Sequence, residues 1–311
     1  MTPTHDRIVT ADGVTLVADV YETTETGQPT VLLLHGGGQN RHAWANTARK
    51  LQQQGYTVIA YDTRGHGDSS WEPAGRYDME QLADDLLIIR DHYSPLHPPV
   101  VVGASMGGMT ILATHRVAPS ELWAGVILVD VTPRMDINGA QRVVGFMSAH
   151  PDGFETLAAA ADVIAEYNPR RKRPDDATGL HKVLQQRPDG RWIWRWDPAF
   201  ITSKLDVLRS DPDRFDTMAE LLTEGARRIT APTLLVRGAQ SDLVSTEGVA
   251  DFLQAVPHAE AVDVSGTGHM VAGDDNDAFT AAVSDFLARL PPGTPRPPPT
   301  ERHLDDPEHA T

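Results

Sequence analysis

The sequence predicts an α/β fold: a mostly parallel sheet with helices on both faces and a helical cap inserted near the middle. Three observations predict it. Strand-like and helix-like runs alternate from Val31 to Asp130 and again from Thr233 to Leu290, as parallel strands joined by crossover helices require. The alternation stops between Pro133 and Arg227, where helix-like runs, Arg and Pro prevail with no obvious parallel strand. A Gly-x-Ser-x-Gly turn, Gly103 to Gly107, joins a β-branched run to a helix-compatible one.

Taken in order, Arg7–Thr10 and Val14–Tyr21 flank Asp12-Gly13, a hairpin signal that predicts an antiparallel edge. Val31–Leu34, Thr57–Tyr61, Val100–Val102 and Val126–Asp130 are short apolar runs suited to buried parallel strands. Arg41–Gln54, Met79–Tyr93 and Gly107–Val117 are the helices between them. After the insertion, Thr233–Val236 resumes the sheet, followed by a helix near Glu247–Ala255, the strand Ala261–Val264 and a closing helix Ala278–Leu290. The predicted core is therefore 1–132 plus 228–290, with the cap at 133–227. Residues 291–311 are Pro-rich and polar, and that composition predicts a disordered tail. No internal repeat is visible.

The chemistry is carried by the strand ends. A serine on a sharp strand-to-helix turn holds its hydroxyl clear of the sheet, and the helix N-terminus behind it points backbone N–H groups at developing negative charge. Ser105 is the candidate nucleophile. Asp242 follows the apolar run ending at Val236, and His269 follows the run ending at Val264. They are the candidate orienting acid and general base, since a serine needs a base and the base an orienting group. Asp130 also ends a strand and is the alternative acid. Val31–Leu34 runs into His35-Gly36-Gly37-Gly38. The N–H of Gly37 and the N–H of Met106 are the candidate oxyanion donors. A dinucleotide-binding turn would need a third glycine at position 41, which is Arg41. His35 is expected to brace the oxyanion loop, and Arg64 and His66 to hold theirs by hydrogen bonds.

With these residues the chain resembles the α/β-hydrolase superfamily, and within it the cofactor-free bromoperoxidase and perhydrolase-like serine esterases. His35-Gly36-Gly37 matches the family's oxyanion strand end, and Gly55–Ser69 its second strand and Asp-x-Arg-Gly-x-Gly-x-Ser loop. Gly103–Gly107 matches the elbow, including the Met after the serine, and Ser, Asp and His occur in the family's order. Gly37 stands where peroxidase-like members often carry a bulky residue. Ser105 sets aside the haloalkane dehalogenase and epoxide hydrolase branches, whose nucleophile is Asp. The resemblance implies cleavage of a small or medium carboxylic ester, lactone or thioester through an acyl-enzyme, with no cofactor. Two other readings keep the same residues: hydrolysis of a C–C bond in a β-diketone-like substrate, and a ligand receptor that retains the triad.

Composition narrows the partners. The 311 residues carry a formal charge of −16, which argues against nucleic acid, whose phosphates must be neutralised by clustered cations. There is no cysteine, hence no thiol chemistry or disulfide framework. The 13 histidines show no His-Glu-x-x-His spacing, so no metal site is expected. The N-terminus lacks the apolar stretch of a signal peptide and no run is long enough to span a membrane, so a cytoplasmic enzyme acting on a small acyl substrate is the expectation. In the cap, Trp192, Trp194 and Trp196 alternate, which in an extended chain puts them on one face. They either roof the substrate pocket or anchor the cap. Arg170 to Arg173 is a basic run, read as a solvated loop or a site for an anionic group.

Overall fold

The computed structural model describes residues 2–290 except 26, 119–120, 169–172, 174, 203–211 and 266–276. Its main sheet has eight strands in the order β1-β2-β4-β3-β5-β6-β9-β10. β1 (Thr4–Val9) and β2 (Thr15–Tyr21) form the expected hairpin, with Gly13 at φ +84° in its turn. β2 pairs antiparallel with β4 (Val58–Asp62). From β4 onward the sheet is parallel: β3 (Val31–Leu34), β5 (Val100–Ala104), β6 (Gly125–Val129), β9 (Thr233–Gly238) and β10 (Ala259–Val264).

The period-two alternation of each buried strand feeds two cores. Leu32, Leu34, Val101, Val126 and Leu128 face one side, with Leu86, Ile111 and Leu112 of α2 (Met79–Tyr93) and α3 (Met106–Val117). Val31, Leu33, Val100, Val102, Ile127 and Val129 face the other, with Ala48 and Leu51 of α1 (Ala45–Gln53) and Phe279, Val283 and Phe286 of α8 (Asp277–Ala288). A strand buried on both faces has to read as an apolar run, as these do.

The chain leaves β3 for β4 on one side and then passes to β5 on the other. A crevice opens outside the carboxyl ends of the strands at such a reversal. Here it lies between the loop after β3 and the turn after β5, the two motifs singled out from sequence. Leu34 stands opposite Gly103 across the β3–β5 ladder, so both motifs begin at one level.

The insertion contains α4 (Ile137–Ser148), α5 (Leu157–Tyr167), a 3₁₀ turn at Ala177–Lys182 and the antiparallel pair β7 (Leu184–Gln186) and β8 (Trp192–Trp194). These elements share a third apolar cluster that includes Trp194, Trp196 and Phe200 of the cap and Met106 of the elbow. The helix α6 (Pro212–Arg227), within the expected cap, packs differently. It lies against α3 so closely that a Cβ on Gly225 would sit 2.0 Å from the Leu112 carbonyl oxygen, and Leu222 and Ala226 join the sheet's own core. The third cluster thus draws on residues of this segment that precede α6. α7 (Thr246–Ala255) completes the described helices, capped by Ser245, whose hydroxyl accepts from the Gly248 N–H. Among the described residues, no helix is long and apolar enough to cross a membrane. The Pro-rich segment 291–311 lies outside the described residues.

Candidate active site

Ser105 sits between β5 and α3 at φ +48°, ψ −113°, a left-handed conformation that costs a non-glycine residue on the order of 1–3 kcal/mol. The neighbours explain how the turn survives. A Cβ on Gly103 would lie 2.5 Å from the Gly107 carbonyl carbon, and one on Gly107 would lie 2.6 Å from the Leu34 carbonyl oxygen. Only glycine lets the helix start, the nucleophile turn and β3 approach this closely. Ser105 donates its own N–H to the Val129 carbonyl, 3.0 Å away, tying the elbow to β6.

Across the crevice, the glycine loop after β3 is held from behind. The His35 ring takes the Thr63 N–H on Nε2 at 3.0 Å, so its Nδ1 carries the proton and donates to the Gly36 carbonyl at 2.8 Å. Burial pushes this imidazole down to about 4, so it is neutral as that pairing requires. His66 repeats the device: Nε2 accepts from the Gly38 N–H and Nδ1 faces the Arg64 carbonyl, both at 3.2 Å. The Gln39 side chain accepts from Gly36 N–H at 3.0 Å. The Gly37 N–H has no hydrogen-bond acceptor among the described residues.

Arg41 closes the far end of the loop. Its guanidinium is buried and bonded to Asp19 at 2.7 Å, Asp62, and Asp68 at 2.9 Å. Asp62 also accepts the N–H groups of Arg41 and Asp68, at 2.7 and 2.8 Å. The residue that breaks the dinucleotide pattern is therefore the one that clamps the two loops together. Arg64 likewise binds Asp85 through two bonds of 2.7 Å.

The acid candidates occupy adjacent positions with different roles. Asp130 is fully buried at φ +50°. Its carboxylate accepts from the Gly238 N–H at 3.0 Å and the Ser241 hydroxyl at 2.7 Å, and that hydroxyl accepts from the N–H groups of Leu243 and Val244. Asp130 thereby shapes the loop on which Asp242 stands. Asp242 is 40% exposed and paired with Arg142 of α4. His269 lies outside the described residues.

The inserted segment meets this edge closely. The Gly67 N–H donates to the Arg195 carbonyl at 2.7 Å and the Asp197 N–H to the Gly65 carbonyl at 2.8 Å, a strand-like seam between residues 195–197 and the 65–67 loop. The three tryptophans are not equivalent. Trp192 is half-buried beside His181, whereas Trp194 and Trp196 are buried and stacked at 4.6 Å. Of these, Trp196 lies against the glycine loop, 3.4 Å from where a Cβ on Gly38 would be. Two residues that sequence reasoning missed lie nearer Gly37: Phe200 at 3.7 Å and Met147 at 3.8 Å from its notional Cβ. Phe200 is fixed edge-on to His66 at 4.7 Å and to Tyr77 at 5.8 Å. Asp197 starts its helical turn by accepting from the Ala199 N–H. Asp-Pro at 197–198 signals such a start, but nothing in it says where the following Phe points.

Among the described residues, no three His, Asp or Glu side chains are placed to hold a metal ion. A cleft of about 430 Å³ between α6 and α7 opposes Arg134 and Arg227 to Glu220 and Asp251 and contains no serine–histidine pair.

Residues 29–275 match the family described as alpha/beta hydrolase fold. The chain is 29% identical over 266 residues to the esterase Rv0045c of Mycobacterium tuberculosis, covering 83% of each protein. Its structure resembles that of the same esterase with a TM-score of 0.70 at 26% identity, covering 93% of both chains. It also resembles E-2-(acetamidomethylene)succinate hydrolase, with a TM-score of 0.76 at 25% identity, covering 92% of this chain and 99% of the other. The Mycobacterium tuberculosis epoxide hydrolase A matches at 25% identity over 92% of this chain and 98% of its own. With the strand order, the reversal point and the family match in agreement, the chain belongs to the α/β-hydrolase family and is a hydrolase enzyme of that type.

Proposed function

We propose that this hydrolase cleaves small or medium carboxylic esters through an acyl-enzyme on Ser105. The observation that carries the reading is the strained Ser105 turn facing the glycine loop at the sheet's reversal point. Backbone strain that the surrounding packing enforces is a mark of a working site. In the proposed cycle the Ser105 hydroxyl attacks the ester carbonyl carbon as His269 takes its proton. The N–H groups of Gly37 and Met106 hold the oxyanion. Collapse breaks the C–O bond to the alcohol, which leaves with the proton from His269. Water, deprotonated by His269, then attacks the acyl carbon and frees the acid and Ser105. Asp242 orients the imidazole.

Asp242 is favoured over Asp130 because its carboxylate is accessible on the loop, whereas Asp130 is buried beneath it and accepts from the Gly238 N–H and the Ser241 hydroxyl. The name of the mycobacterial relative, an esterase, supports the bond class. Met147 and Phe200 beside Gly37 support an acyl group of limited length, because apolar side chains at that distance occupy space a longer chain would need. The test is a fluorophosphonate probe read by peptide mass spectrometry, together with a p-nitrophenyl ester series. An adduct on Ser105 and loss of turnover in Ser105→Ala are expected. Turnover that survives Ser105→Ala, or a folded protein that cleaves no ester from acetyl to decanoyl, would refute the proposal.

A further inference from the structure

Helix α4 touches two corners of the site at once. At its start the Asp136 N–H donates to the Leu243 carbonyl at 2.9 Å. One turn on, Gly139 lies so close to the acid's loop that a Cβ there would sit 2.2 Å from the Asp242 carbonyl oxygen. After a further turn the Arg142 Nη1 donates to Oδ2 of Asp242. Residues 136, 139 and 142 recur every three positions and so share one helix face. At the other end Met147 stands over Gly37 and Gly38. A helix of 12 residues spans about 18 Å, enough to link the acid loop to the oxyanion loop.

We propose, resting on the triad reading above, that Arg142 is a positioning residue: from the cap it holds one oxygen of Asp242 and so fixes the direction in which the other is offered. A carboxylate on a half-exposed loop turns freely about its last bond unless one oxygen is anchored. Arg142 is itself anchored twice more. Its Nη2 donates to the Tyr167 carbonyl at 2.8 Å, and its guanidinium lies 5.1 Å from the centre of the Tyr167 ring. That ring is stacked on Phe146 of α4 at 4.0 Å. The guanidinium thus has a set orientation before it meets the carboxylate. Its side chain and that of Asp242 are 53% and 40% exposed, and exposed pairs add little to stability. The consequence lies in the acid's orientation, and it makes that orientation depend on the cap being docked.

The experiment is a double-mutant cycle between Arg142→Gln and Asp242→Asn, with Arg142→Lys as the conservative variant, read as separate kcat and KM on one p-nitrophenyl ester. Arg142→Gln should lower kcat about tenfold and leave KM within about twofold. Arg142→Lys should recover most of the loss. In the Asp242→Asn background the same Gln change should alter kcat by less than about twofold, because the carboxylate through which Arg142 acts is gone. Wild-type kcat in Arg142→Gln, a loss confined to KM, or an equal loss in both backgrounds overturns the proposal. If Asp242→Asn alone keeps wild-type kcat, the triad reading has failed, a result distinct from a crippled Asp242→Asn beside an unaffected Arg142→Gln.

Discussion

Met147 gives the most quantitative handle on substrate size. Its Sδ lies 3.8 Å from the notional Gly37 Cβ, and its Cε lies 2.9 Å from that of Gly38. It is 7% exposed and belongs to the cap cluster. Met147→Ala removes three heavy atoms from the wall beside the oxyanion loop. The freed length accommodates about two methylenes of an acyl chain; at about 0.8 kcal/mol each they are worth about 1.6 kcal/mol, or about 15-fold in a rate ratio. The kcat/KM ratio of the p-nitrophenyl octanoate to the butyrate should therefore rise about 15-fold over wild type. The substitution should also cost roughly 2–3 kcal/mol of stability through the lost burial and the cavity, so the profile is measured well below the variant's melting temperature. The ratio is internal to one preparation and does not depend on the fraction folded. An unchanged ratio would show that the acyl chain runs elsewhere, and the geometric reasoning from Gly37 would fall.

Gly107→Ala should abolish activity and cost several kcal/mol, because the new methyl would lie 2.6 Å from the Leu34 backbone, which cannot move without shifting β3; a near-wild-type melting temperature contradicts this. Asp130→Asn should lower the melting temperature while keeping nucleophile labelling, and Asp242→Asn should do the reverse, lowering kcat by about three to four orders of magnitude in a folded protein; exchanged phenotypes would reassign the acid. Burial holds His35 and His115 down at about 4 from 6.5. The unfolded chain therefore binds more protons between those values, and stability present above pH 6.5 is lost as pH falls toward 4. Urea midpoints from pH 7.5 to 4.5 test it. In His115→Phe, whose ring replaces one with no hydrogen-bond partner among the described residues, part of that slope should vanish.

The core of the fold was legible because its signals are local. Asp12-Gly13 between alternating runs specifies a hairpin wherever it occurs, and Val100–Val102 buried on both faces has few homes besides a central parallel strand. The elbow was legible for the same reason: the glycines that let Ser105 adopt φ +48° are two positions either side of it. His35 and His66 were expected to hold their loops, and each hydrogen-bonds beside the glycine turn after β3, His35 with the Thr63 N–H and His66 with the Gly38 N–H. Position 41 was informative only as the absence of a glycine. What Arg41 does there depends on Asp19 and Asp68, which approach it through the β2–β4 pairing and the loop beyond it, and no short-range pattern carries that.

The cap resisted reading because its residues answer to partners far away in sequence. Alternation put the three tryptophans on one face, yet Trp192 ends beside His181 while Trp196 reaches Gly38, since the chain leaves β8 and joins the 65–67 loop after Trp194. Met147, Phe200 and Arg142 carry no motif. Each matters through the helix that holds it and the loop that helix touches. The same physics explains the asymmetry between the two halves of the site. On the proposed reading, the nucleophile and its oxyanion donors must sit within a few ångströms on adjacent strands, so backbone geometry demands recognisable glycines around them. The walls that choose a substrate need only fill space and present one apolar or charged group. Many residue types on many helices can do that, and α4 does both with Met147 at one end and Arg142 near the other.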